Sequence, residues 1–96
     1  MIIEISSDAL LDLEEGFAFY QRQSEGLGAY FISCLTSDIE ALAYSGGIHE
    51  VVNGHYRALS KRFPFCIYYD IEDDTLIVVA VLDARRNPLW IRQRLG

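Results

Sequence analysis

Positive charge is what this sequence has least of. Lys and Arg supply 8 side chains against 14 from Asp and Glu, leaving a net charge of -6. Proteins that bind nucleic acid non-specifically need a dominant positive field, and this balance argues against that class. Cysteine is scarce too, with two residues. Cys34 falls in a helical pattern and Cys66 in a strand, and no CxxC or paired Cys/His spacing occurs. The reading is two buried free thiols, with no disulfide, no metal site and no cofactor. No apolar run reaches the about 20 residues that span a bilayer. The start, MIIEISSD, lacks the basic beginning and apolar core of a signal peptide. A cytoplasmic protein without a membrane partner is expected. His49 and His55 are the only histidines, and neither has a nucleophile motif beside it. They read as ordinary loop residues rather than a general acid or base.

Apolar side chains, in contrast, make up 51% of the chain, with six tyrosines and five phenylalanines. That composition argues against disorder. Residues 1–96 suit one domain, whose core buries roughly 60–65% of the unfolded surface.

The sheet is written between Tyr56 and Trp90. A short strand, Tyr56–Ser60, meets a corner at Lys61-Arg62-Phe63-Pro64, where proline has no amide to offer a ladder. A second strand, Phe65–Ile71, alternates Phe65, Ile67, Tyr69 and Ile71 against Cys66, Tyr68 and Asp70. Glu72-Asp73-Asp74-Thr75 is a polar hairpin turn. The third strand, Leu76–Leu82, is apolar throughout, which requires cover on both faces.

The first half reads as helical. Ile2, Ile3 and Ile5 suggest a short N-terminal strand, and Ser6-Ser7-Asp8 supply helix caps. Leu10, Leu13, Phe17 and Tyr20 recur at helical spacing, with Gly16 as an interior weak point or a place of close packing. Ser24-Glu25-Gly26 breaks this helix. A second runs from about Leu27 to Tyr44 on the stripe Leu27, Phe31, Leu35, Ile39 and Leu42, with Tyr30 and Cys34 alongside. Gly46-Gly47 ends it. Two amphipathic helices separated by a short break form an antiparallel α-hairpin. Ile48–His55 reads as a connector with a turn at Asn53-Gly54. Pro88 opens a short terminal helix, Leu89–Leu95. The expected class is α+β: an N-terminal strand, an α-hairpin packed on a three- to four-stranded antiparallel sheet, and a short C-terminal helix.

Charge is divided unevenly. Residues 1–56 carry nine acidic side chains against Arg22 alone, while residues 57–96 carry seven basic against five acidic. Two faces with different partners follow. In an antiparallel meander the bend after strand one and the end of strand three share a sheet end. Lys61, Arg62, Arg85 and Arg86 therefore converge, with Arg57 projecting from the first strand. Converging guanidinium groups bind phosphates or carboxylates. The plainer alternative is a solvated rim paired with Asp83 and Asp70.

The order Tyr56-Arg57, Arg62-Phe63-Pro64-Phe65 with Ile67-Tyr68-Tyr69 behind it, a turn, then an apolar strand into Ala84-Arg85-Arg86-Asn87-Pro88 and Trp90 resembles the ParE branch of the RelE/ParE toxin superfamily. With the α-hairpin, the resemblance spans nearly the whole chain. Asp83 stands where that family usually has histidine, Asn87 where aspartate is frequent, and Phe65 where tyrosine is common. Asp83 is placed to neutralise part of the basic cluster beside it.

The resemblance implies the toxin of a type II toxin–antitoxin (plasmid stabilisation) module, neutralised by a cognate antitoxin. ParE-branch members are associated with poisoning DNA gyrase, and RelE-branch members with cutting messenger RNA on the ribosome. The second activity needs cations for the phosphorane and a proton-transfer group at the 2′-hydroxyl. RelE-branch enzymes place an arginine early in the second strand and a tyrosine near the C-terminus. Here those regions hold Phe65-Cys66 and Trp90-Ile91. The expectation is thus a toxin that binds a protein through Arg57, Lys61, Arg62, Arg85, Arg86 and Trp90, with no catalytic residues. The alternatives are a ribosome-dependent endoribonuclease using Arg57, Arg62 and Arg85, and an attenuated family member. Phe19 and Tyr30 are the antitoxin-anchor candidates, since an acidic hairpin and a sheet edge suit a partner that lays down a helix and adds a strand. A homodimer is equally open.

Overall fold

The computed structural model describes all 96 residues, Met1–Gly96. In chain order its elements are β1 (Ile2–Ile5), α1 (Ser7–Gln23), α2 (Leu27–Ser45), β2 (Val51–Val52), β3 (His55–Leu59), β4 (Phe65–Glu72), β5 (Thr75–Asp83) and α3 (Pro88–Leu95). The class is α+β, as expected. The sheet is larger than the expected three or four strands, with the order β1-β5-β4-β3-β2. It is also mixed, because β1 runs parallel to β5, with Ile2 opposite Thr75 and Ile5 opposite Val78. Parallel neighbours need a long connection, and here the hairpin and the whole meander supply it. The connector hides β2, which pairs with β3 across Asn53-Gly54. Both turn residues take positive φ, 53° and 82°, the conformation that an Asn-Gly pair adopts at least strain in a two-residue hairpin. His55 consequently opens β3 instead of lying in a loop.

Local signals set the helix ends. The Ser6 side chain accepts from the Ala9 amide at 3.1 Å and caps α1. The Gln21 side chain accepts from the amides of Gly26 and Gly28, so α1 ties down the break that ends it. Asn87 caps α3, with Pro88 in its first turn.

α1 turns a different face inward from the one its large side chains suggest. Ala9, Asp12, Gly16 and Tyr20 are buried and Leu13 is half-buried. Leu10 and Phe17 are 48% and 39% exposed. Close approach to α2 explains the rotation. A Cβ on Gly16 would sit 2.5 Å from the Phe31 ring, and one on Gly28 would sit 2.8 Å from Phe17. Small residues at the crossing let the helices touch and push Leu10 and Phe17 to the flank. Gly16→Ala sets a helix-propensity gain of about 1 kcal/mol against overpacking of about 1–3 kcal/mol. Phe31 is fully buried among Tyr20, Phe63 and Phe65 and cannot step aside. The expected result is a net loss, read from the midpoint of urea unfolding.

The sheet has two covered faces. Phe31, Leu35, Ile39 and Leu42 of α2 pack on Ile67, Tyr69, Leu76, Val78 and Val81. On the other side α3 brings Ile91, Trp90 and Leu95 over Cys66, Tyr68, Ala80 and Leu82. This is the double cover that the apolar β5 requires. Tyr68 pairs with Ala80 but Tyr69 pairs with Val78, so Val79 is the extra residue of a bulge. The bulge switches the inward positions of β5 from Leu76 and Val78 to Val81. Tyr69 is fully buried, and its hydroxyl accepts from the Gly47 amide at 2.9 Å and meets His49 Nδ1 at 2.6 Å. His49 therefore ties the α2–β2 connector to the core.

Candidate functional site

The two bends read as converging are stitched together by backbone. β4 opens at Phe65, opposite the last residue of β5, Asp83. The Ala84 amide donates to the Pro64 carbonyl at 2.8 Å, and the Ser60 amide donates to the Phe65 carbonyl at 2.9 Å. Asp38 of α2 fixes the first bend from above, accepting from the Ser60 hydroxyl at 2.7 Å and the Lys61 amide at 3.2 Å. Phe63 wedges inward against Tyr20, Phe31 and Tyr30, with ring centroids 4.9, 5.1 and 5.7 Å away. With Phe63 inside, Lys61 and Arg62 on the same corner are exposed.

The cations at this corner differ in state. Lys61, Arg62 and Arg86 form no salt bridge, whereas Arg85 folds back on Asp83. Its Nε and Nη2 donate to the two carboxylate oxygens at 3.0 and 2.7 Å, and its backbone amide donates at 2.8 Å. Bidentate pairs of this kind are the stronger ones. The Arg85 guanidinium holds the Asp83 carboxyl below the usual carboxylate range. Asp83 thus neutralises Arg85, as its position suggested. Asp70, the other acid considered for the rim, pairs with His55 instead. Arg86 sits over Trp90, its guanidinium carbon 3.7 Å from the ring centre, a cation–π contact.

Arg57 does not join the corner. It sits mid-strand opposite Tyr68, on the side covered by α3. Its one ionic neighbour is Glu50 at 3.7 Å, a long contact between a half-buried arginine and an exposed glutamate, an arrangement worth little. The corner formed by the two adjoining bends therefore carries Lys61 and Arg62 on one bend and Arg86, the paired Arg85 and, just beyond, Trp90 on the other. Beside it lies a groove of about 440 Å³ between α1 and α3, lined by Glu15, Phe19, Arg22, Asp83, Arg86 and Trp90. Phe19 and Tyr30 are 44% and 46% exposed. They stand at the ends of one aromatic row, Phe19–Tyr20–Phe63–Tyr30, with centroid spacings of 5.0, 4.9 and 5.7 Å. Both anchor candidates consequently flank the cationic corner.

Sequence reading missed several polar side chains that hold this frame. Asp12 sits early in α1, where the helix dipole alone would favour an acid. It is 9% exposed, and its Oδ2 accepts from the Val81 amide at 3.0 Å and from Arg94 Nη2 at 2.7 Å. β1 stops opposite Val78, so the outward amide of Val81 has no strand partner and takes a side-chain acceptor instead. Burial pushes the Asp12 carboxyl above its usual range, against the opposing effect of these two donors. One signal was available: Asp12 falls at helical spacing on the row Ala9, Gly16 and Tyr20 that became the buried face. His55 was also missed as a structural group. Its Nδ1 is 2.6 Å from Asp70, and its Nε2 is 3.3 Å from the Leu95 carbonyl. Both cysteines are free, and burial pushes the Cys66 thiol up.

No protein-family model matches the chain, and no curated protein matches it significantly. Among solved structures, a chain from the chromosomal ParDE TA system from P. aeruginosa superposes with a TM-score of 0.70 at 16% identity. The match covers 84% of this chain and 92% of that one. The strand, α-hairpin, meander and terminal helix implied by the Arg-Phe-Pro and Arg-Arg-x-Pro motifs are thus present, and the fold of this chain is ParE-like.

Proposed function

We propose that this chain is the toxin of a type II toxin–antitoxin pair and acts in the cytoplasm by binding a protein, with DNA gyrase as the candidate target. One observation carries the reading. On a ParE-like fold, the bend that carries the exposed Lys61 and Arg62 is hydrogen-bonded through Pro64 to the bend after β5, where Arg86, free of a carboxylate partner, packs on Trp90 beside a groove. Arginine and tryptophan together are the side chains that dominate protein interfaces. Antitoxin binding is assigned to the flanking aromatics Phe19 and Tyr30.

The ribonuclease reading has less support. Of its arginines, Arg57 lies on another part of the sheet and Arg85 is tied to Asp83. Tyr20 of α1 lies near Arg85. Burial pushes its phenol above the ordinary tyrosine range, outweighing the nearby arginine. A general base at neutral pH needs the opposite shift.

Supercoiling by purified gyrase tests the proposal. Inhibition at micromolar toxin, relieved by the antitoxin encoded beside it, is the expected outcome. Unchanged supercoiling, together with specific message cleavage seen by primer extension, would transfer the function to the ribosome. Unimpaired growth on expression without a partner would instead identify an attenuated member.

A further inference from the structure

His55 lies between two hydrogen-bond acceptors. Asp70 Oδ1 on β4 is 2.6 Å from its Nδ1, and the Leu95 carbonyl at the end of α3 is 3.3 Å from its Nε2. A neutral imidazole has one N–H, so it serves one acceptor and turns a lone pair on the other. The imidazolium donates to both. The side chain is 20% exposed, so water replaces a lost partner poorly. The Leu95 carbonyl also belongs to the negative end of a helix, where a cation is favoured.

α3 has few other ties. Eight residues are too short for a helix to persist alone in water. Its apolar hold is Ile91, Trp90 and Leu95 on the sheet. Its remaining side-chain link to the body is Arg94 with Asp12 and the Asp8 carbonyl, in the same last turn.

We propose that His55 is a proton-operated clasp for α3. Protonated, it pins the last turn of the helix to β3 and β4. As pH rises and the proton leaves, one of the two bonds is lost, and α3 loosens over the sheet face that holds Cys66 and Tyr68. The charged groups around it are few. Asp70 faces it from β4. Arg94 of α3 is turned to Asp12 of α1. Arg57, two residues along β3, lies near Glu50 of the segment before β2. The device is independent of which macromolecule the corner binds.

Trp90 is the chain's only tryptophan and sits in α3 itself, so its fluorescence reports on the helix directly. Acrylamide quenching of Trp90 is measured from about pH 5 to pH 8.5, the range in which imidazole ordinarily titrates. Quenching is expected to rise with pH in the wild type and in His49→Gln, and to be flat in His55→Gln. A flat wild-type profile, or a transition that survives His55→Gln, overturns the proposal. Should His55→Gln fail to fold, NMR of the wild type decides. The His55 ring and the Trp90 indole must titrate with one shared midpoint, and separate midpoints refute the clasp.

Discussion

Asp12→Ala is expected to cost about 3–5 kcal/mol of folding stability, the range for breaking a buried ion pair from one side. The substitution strands two donors, the Val81 amide and the Arg94 guanidinium, at a place where β1 no longer covers β5. A domain of this size holds roughly 5–15 kcal/mol in total, so the loss lowers the melting temperature by roughly 12–40 °C. Asp12→Asn is expected to be far milder. Its amide oxygen still accepts from Val81, and the buried charge is gone. The pH dependence follows from the raised carboxyl of Asp12, for which burial is the main cause. Below the ordinary carboxyl range both the folded and unfolded chains hold this proton. Between the ordinary and the raised value only the folded chain does, so stability falls as pH rises through that window. The stability difference between wild type and Asp12→Asn should therefore favour the wild type most at the acid end and shrink upward. Denaturant midpoints taken across that window measure it. A difference that grows with pH would show that the Arg94 pairing outweighs the burial of Asp12.

On the proposed function, reversing charge at the corner, Arg62→Glu with Arg86→Glu, is expected to abolish growth inhibition without unfolding the chain. Each charged hydrogen bond to a partner is worth about 1.5–3 kcal/mol, and two such losses weaken binding by at least about a hundredfold. Both side chains are exposed and free of internal salt bridges, and the Arg86 contact with Trp90 is worth about 0.5–1 kcal/mol, so circular dichroism should hold and the melting temperature should fall by only a few degrees. Asp83→Asn is the companion in the opposite direction. It removes the bidentate partner of Arg85 and adds a fourth available cation to the corner, so toxicity should rise. The carboxyl of Asp83 is lowered by Arg85, which means the clamp holds at neutral pH and opens as pH falls through the lowered value. Dose–response curves for growth under a titratable promoter separate the three proteins. Equal potency of wild type and Asp83→Asn would show that Arg85 plays no part in target binding.

Helix and strand types were legible because the local signals agreed. The α2 stripe, the β4 alternation, the cap at Ser6 and the helix start at Pro88 all lie where the periodicity and capping signals point. The convergence of the two bends was legible too, since a meander leaves one place for them. What the sequence hid were relations between distant residues. The direction of β1 is set by its pairing with β5, and no period in Ile2–Ile5 encodes a partner. The inward face of α1 is set by Gly16 meeting Phe31, so size at the crossing outranked hydrophobicity. Arg57 looked equivalent to the corner arginines because spacing carries no information about which side of a sheet a residue takes. His55 and Asp70 are 15 residues apart and read separately as a loop histidine and a strand acid, yet they form one pair.

The edge pairing of Ile2–Ile5 with Thr75–Val78 also sets an order of events during synthesis. The first strand to leave the ribosome waits for the last one, and Asp12 waits for Arg94, 82 residues later. Contacts this far apart in the chain close slowly, so a nascent chain holds its hairpin before it has a finished sheet. The basic corner, which needs the end of β5 beside the start of β4, is therefore assembled only when nearly all of the polypeptide has emerged.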